Sequence, residues 1–161
     1  MPEGHTIHRL SKDLRSDLST GVVSATSPQG RFEHGASLIN KKSLVTSDAW
    51  GKHLFLTFSE ETILHIHLGL IGKFRPQALE CEPSDTVRLR LEGHRAWHLT
   101  GPQKCALISK EESLRVIDDL GPDPLRRGSK WEDFASGLTG RKTAIAISLL
   151  DQSIIAGVGN V

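Results

Sequence analysis

The chain opens Met-Pro-Glu-Gly-His-Thr, and the proline in second place is the first residue with chemistry to offer. A small residue there lets the initiator methionine be removed, which leaves Pro2 as a free secondary amine with the Glu3 carboxylate beside it. An α-amino group titrates near about 7.7–8.0 and lysine near about 10.4, so roughly a tenth of terminal amines are neutral at pH 7, against on the order of 0.04% of lysines. Attack by such an amine on a sugar C1′ gives a cationic iminium, an electron sink that favours later elimination. Glu3 could protonate the ring oxygen as the sugar opens. If Met1 is retained, the Pro2 nitrogen is an amide and this route is closed. The same residues also fit an ordinary chain start.

Three further stretches carry reactive or binding side chains. In WGKHLFL (50–56), Lys52 follows a glycine at the head of an alternating strand, where it either points into a groove or is solvated at a strand end. In HIHLGLIGKFR (65–75), His67 precedes a Gly-Leu-Ile-Gly loop. Leu70 and Ile71 at its tip, beside the basic KFR, suit insertion between bases or a turn with a buried leucine. In IAGVGN (155–160), glycines at 157 and 159 let backbone N–H groups converge on an anion, with the Asn160 side chain as a further donor. A helix end would look the same.

These residues need elements to position them. Ile7, Leu10, Leu14 and Leu18 recur at helical spacing in residues 5–18 and predict an amphipathic helix closed by STG. From 21 to about 108 the period changes to two. HLFLTF (53–58), TILHIHL (62–68) and TVRLRLEGHRAWHLT (86–100) alternate between turn signals, the pattern of an antiparallel β-sandwich or small barrel. KEESLRVIDDL (110–120) returns to helix and GPDP (121–124) breaks it. KWEDFASGL (130–138) and TAIAISLLDQ (143–152) read as helices before a glycine-rich turn. The division expected is therefore a domain over 1–120, a linker over 121–129, and an incomplete helical core over 130–161, as in a fragment.

Composition narrows the class. The 161 residues are 37% hydrophobic and 24% charged, enough for a packed core. No apolar run reaches membrane-spanning length, and the N-terminus lacks a basic-then-apolar leader. Cys81 and Cys105 form no CxxC and indicate neither a zinc site nor a disulfide framework; a reducing intracellular compartment is expected. Twenty Lys and Arg against nineteen Asp and Glu leave +1, less basic than many nucleic-acid-binding domains.

Taken together and in order, PEG, GK, HLGLIG, LTGP (99–102), LGPDPL (120–125) and LLDQSIIAGVGN (149–160) resemble the formamidopyrimidine-DNA glycosylase/endonuclease VIII (Fpg/Nei) family, and the PEGHT opening resembles its endonuclease VIII branch. The resemblance implies an α+β chain. An N-terminal helix packs on an antiparallel β-sandwich, followed by the start of an all-α helix–two-turns–helix domain. It also implies excision of oxidised bases, pyrimidines for the endonuclease VIII branch, from damaged double-stranded DNA, followed by strand cleavage at the abasic site. Pro2 falls on the family's nucleophile, Glu3 on its proton donor, Lys52 on a lysine that contacts phosphate and assists elimination. Asn160 falls on a phosphate ligand, Leu70 near the residue that fills the gap left by a flipped nucleotide, and His67 on the histidine before it. Arg31 and Arg75 are added as backbone contacts. No catalytic cofactor is implied, and the family's four-cysteine zinc finger is expected only beyond Val161. A monomer in the bacterial cytoplasm, at the nucleoid and not at a membrane, is the expected setting. His5 departs from the acidic residue often found at that position. A protein that binds damaged or abasic DNA without turnover, or an unrelated β-sandwich interaction domain, are the competing readings.

Overall fold

The computed structural model describes residues 2–160. Helix α1 (Gly4–Leu18) forms where the apolar spacing places it, and Ile7, Leu10, Leu14 and Leu18 are all 7% exposed or less. Eight strands follow: β1 (Val22–Thr26), β2 (Lys42–Trp50), β3 (His53–Phe58), β4 (Thr62–His67), β5 (Lys73–Gln77), β6 (Val87–Glu92), β7 (Ala96–Thr100) and β8 (Lys104–Ile108). Their order is β5-β7-β6-β1-β2-β3-β4-β8, with every pairing antiparallel.

The joint between β1 and β2 is narrow, with Val22 opposite Ser43 and Val23 opposite Lys42. It divides the run into two four-stranded halves that share one core. Leu54, Leu56, Leu64 and Ile66 enter from β3 and β4, and Phe74, Leu89, Leu91, Trp97 and Leu99 from β5 to β7. The α1 leucines pack into the same core. The Trp97 indole N–H donates to Asp17 Oδ2 at 3.0 Å, which pins the end of α1 to β7. This is the expected helix on a layered antiparallel sheet.

Two local expectations are corrected. The region from 21 to about 108, read as short strands and turns, also contains a helix, α2 (Glu33–Ile39), with Ala36 and Ile39 buried. Seven residues are two turns, too few to show a helical period in sequence. The helix read over 143–152 is α5 (Ile145–Leu150) only. Asp151 ends it, because its Oδ1 accepts from the Ser153 backbone N–H at 3.0 Å and from the Ser153 hydroxyl at 2.6 Å. An Asp side chain bonding two residues on turns the backbone away from helix. Helix α3 (Lys110–Asp118) starts at a capping box: Ser109 Oγ accepts from the Glu112 N–H and Glu112 Oε2 from the Ser109 N–H. Helix α4 (Trp131–Leu138) completes the set.

Candidate functional site

Helix α1 presents three stripes. Ile7, Leu10, Leu14 and Leu18 face the core. Thr6, Arg9 and Asp13 face an open cavity of about 760 Å³ whose lip carries Pro2. Gly4 and His8 face the segment after α3. The far wall of the cavity is built by the loop after β4 and by edge strand β5, with Leu70, Ile71 and Arg75 among its residues. Leu70 and Ile71 are 74% and 78% exposed at the tip of that loop, so the apolar tip stands out into solvent. Gly69, at φ +68°, makes the turn that lifts it.

A second convergence lies where three backbones touch. The Gly4 N–H donates to Gly157 O at 2.9 Å. A Cβ on Gly51 would stand 2.9 Å from Ala156 Cβ and 3.0 Å from Gly157 N, and one on Gly159 would run into the Glu3 carboxylate. Gly51 and Gly157 also hold positive φ, +55° and +91°. Only glycine meets both demands at once. Glu3, the turn carrying Lys52 and the turn ending in Asn160 are thereby brought to one place. Gln152 shapes the last of these turns: its Oε1 accepts from Gly157 N–H at 2.8 Å and its Nε2 donates to Val158 O at 2.9 Å.

Beneath this contact is a carboxylate to which the sequence assigns no role beyond its place in the helix-breaking GPDP and the LGPDPL stretch. Asp123 is 1% exposed. Its Oδ2 accepts from the Gly51 N–H at 2.7 Å and from His8 Nε2 at 2.8 Å, and its Oδ1 accepts from the Leu125 N–H at 2.9 Å. A buried carboxylate needs such donors to offset desolvation. Next to it, Arg126 lies 3.8 Å over the Trp50 ring and donates to Asp48 Oδ1 and Ala49 O. The 121–129 segment is thus bonded to β2 and to the turn before β3.

His53, His65 and His67 form a row on the face of β3 and β4 turned away from the core, where His65 is nevertheless 1% exposed. His53 stands opposite His67 and Phe55 opposite His65. His53 Nδ1 and His65 Nε2 are 2.9 Å apart. Burial, then the charges of His67 and Lys104, pushes His53 down to about 4. Burial likewise takes His65 to about 3, helped by His53 and Lys104. His67 is lowered by burial and then by the Lys52 charge nearby. A neutral His67 whose Nδ1 accepts from the Gly69 N–H at 3.1 Å carries its proton on Nε2, as a donor. Burial pushes the Cys105 thiol up to about 12, away from thiolate chemistry.

Of the residues singled out in sequence, Pro2, Leu70 and Arg75 line the cavity. Glu3 and the Lys52 and Asn160 turns meet at the glycine contact. His67 lies within electrostatic reach of Lys52. Arg31 stands in the turn before α2 and does not line the cavity. Asp123, His8 and Gln152 were not among them. Among the described residues, no three of His, Cys, Asp and Glu converge as metal ligands.

A helix-and-sandwich domain with a proline at the lip of an open cavity, and a glycine turn closing on the residue beside it, is a defined class. The sequence model of the formamidopyrimidine-DNA glycosylase N-terminal domain matches residues 1–108, and the chain belongs to that family. It is 41% identical over its whole length to endonuclease 8 1 of Mycobacterium tuberculosis, and spans 62% of the length of that relative. It is 30% identical over 96% of its length to the formamidopyrimidine-DNA glycosylase of Ligilactobacillus salivarius, of which it spans 56%. Among solved structures, MutM in complex with DNA containing carbocyclic 8-oxo-G superposes with a TM-score of 0.82 at 22% identity, over 99% of this chain and 65% of that one. Lactococcus lactis formamidopyrimidine-DNA glycosylase bound to DNA with an AP site superposes at 0.79 with 21% identity, over 98% and 65%. At those identities the structures establish the fold.

Proposed function

We propose that this chain carries the nucleophile and groove-facing surface of a DNA glycosylase with AP lyase activity. The observation that carries this is the placing of Pro2 on the lip of a cavity whose far wall ends in the exposed Leu70–Ile71 tip. A damaged nucleotide turned out of the duplex enters the cavity, and the apolar tip fills the gap it leaves. With Met1 removed, the Pro2 nitrogen attacks C1′ and the C1′–base bond breaks. Glu3 protonates the ring oxygen as the sugar opens to the iminium. Loss of a C2′ proton then expels the 3′ phosphate, and a second elimination releases the 5′ phosphate. Lys52 and Asn160 hold phosphate oxygens near the glycine contact, His67 contacts the backbone beside Lys52, and Arg75 adds a cation on the cavity wall. The greater identity to endonuclease 8 than to the formamidopyrimidine-DNA glycosylase above supports the endonuclease VIII branch, and oxidised pyrimidines are the lesion class we assign on that resemblance.

The test is borohydride reduction of the Met-processed chain with an abasic-site duplex, with the adduct mapped by mass spectrometry. A stable adduct on Pro2 is expected. An adduct on a lysine instead would move the nucleophile. Salt-dependent duplex binding without any adduct would leave a DNA-binding protein without turnover. Leu70→Ala should slow excision of a damaged base about tenfold while cleavage of a preformed abasic site falls about threefold or less, because a lost base needs less help to leave the stack. Equal losses on both substrates would remove Leu70 from that role.

A further inference from the structure

His8 is neither in the core nor in the cavity. It lies one helical turn beyond Gly4 on the third stripe of α1, half-buried at 19% side-chain exposure. Its ring nitrogen meets the same Asp123 oxygen that accepts the Gly51 N–H. The three residues come from positions far apart in the chain: Asp123 is 115 residues from His8 and 72 from Gly51. Among the described residues, His8 is the one α1 side chain hydrogen-bonded to the 121–160 segment. One carboxylate oxygen therefore joins the helix that begins beside Pro2 and Glu3 to the turn that holds Lys52.

We propose that His8 is a positioning residue which, through Asp123, fixes the Gly51–Lys52 turn relative to the Pro2–Glu3 segment. The inference rests on the reading of Pro2 as nucleophile and Lys52 as its partner. The physical argument concerns the carboxylate. With His8 in place, Oδ2 is held between two donors on different elements, and Oδ1 is held by the Leu125 N–H. Without the His8 donor, Asp123 keeps its two backbone donors, one on each oxygen, but loses its side-chain link to α1. The Gly51 amide is then tied to α1 only through the glycine backbone contact and the packing of α1 on β2, and its hydrogen bond to Asp123 loosens. A displacement of this kind is felt in rate before affinity, since duplex binding is spread over many phosphates while reaction depends on the relation of two groups.

The experiment compares His8→Leu, which keeps bulk and removes the donor, with His8→Gln, which restores a neutral donor of similar reach. His8→Ala runs beside them as a variant without added bulk. For each, three quantities are read: the borohydride trapping rate on an abasic duplex at saturating protein, the half-saturating concentration, and the Gly51 amide proton resonance. In His8→Leu and His8→Ala the saturating rate should fall about tenfold with half-saturation within about twofold. The Gly51 resonance should move upfield as its 2.7 Å bond to Asp123 lengthens. His8→Gln should recover the rate to within about threefold and return the resonance. A wild-type rate in the leucine and alanine variants, or a glutamine variant no better than leucine, overturns the inference. A loss of affinity alone does the same. If the unaltered chain forms no adduct, the Pro2 reading fails by itself and the Gly51 resonance decides for His8: no movement in His8→Leu overturns the link, and movement reversed by glutamine upholds it.

Discussion

The layered region up to Ile108 and the segment from Gly121 to Asn160 are held by different forces. In the first, an apolar core draws on α1 and on both halves of the sheet, and side chains such as Leu56, Leu64 and Leu89 are fully buried. In the second, the buried apolar side chains are Ile154, Ile155 and Ala156, while Trp131, Ile145, Ile147 and Leu150 are between 44% and 63% exposed. Polar bonds do the holding instead: Asp123 to His8 and Gly51, Arg126 to Asp48, and the Gly121 N–H to Gln152 O at 2.9 Å. Burial is non-directional and tolerates small shifts, whereas each of these bonds specifies a geometry. The cavity lies in the first region, while the glycine contact that gathers Glu3 and the Lys52 and Asn160 turns sits on the seam between the two.

Truncation tests the contrast most strongly. Leu64→Ala should cost about 3 kcal/mol in urea unfolding, and Ile147→Ala at 63% exposure less than about 0.5 kcal/mol. Similar costs at both positions would dissolve the distinction.

Acid attacks the layered region next. The unfolded histidines titrate near about 6.5, while His53 and His65 are held at about 4 and about 3 in the fold. Between those values the unfolded chain binds more protons, so the contribution is complete above about pH 6.5 and is lost as pH falls toward 4. The melting temperature should drop by roughly 5–10 °C between pH 7 and pH 4.5, and His65→Leu should flatten that slope. A parallel slope in the variant would place the acid sensitivity elsewhere.

The smallest effect concerns the seam itself. Gly157→Ala puts a side chain at φ +91° and against the Gly4 backbone, at a cost of about 1–2 kcal/mol. Amide exchange should quicken in 151–160 while β3 and β4 keep their protection, if the two regions open separately. Uniform quickening across the chain would mean that they open as one.

Much of this was legible in the residues. The spacing of Ile7, Leu10, Leu14 and Leu18 determines α1, because a surface helix buries one stripe, and alternation in HLFLTF and TILHIH determines β3 and β4, because successive strand side chains point to opposite faces. That both faces of these two strands are covered, with Phe55 and His65 buried opposite the leucines, is not in the alternation. Helix α2 was not legible, since two turns lie below the resolution of periodicity. Nor was the exit of α5 at Asp151, which depends on a local side-chain bond rather than on a pattern.

The same boundary runs through the site. The residue types at Pro2, Glu3, Lys52 and Asn160, the glycines beside them and the apolar loop tip are properties of the chain as written, because reactivity and backbone freedom belong to individual residues. Which of them meet was decided by the tertiary structure. Asp123 reads as a turn residue in GPDP, and His8 as one more polar position on a helix. Only when α1, the turn before β3 and the segment after α3 are packed together does one buried oxygen find its two donors. Sequence periodicity reports a residue's neighbours within a few positions, and a bond across 115 of them depends on how the whole chain closes.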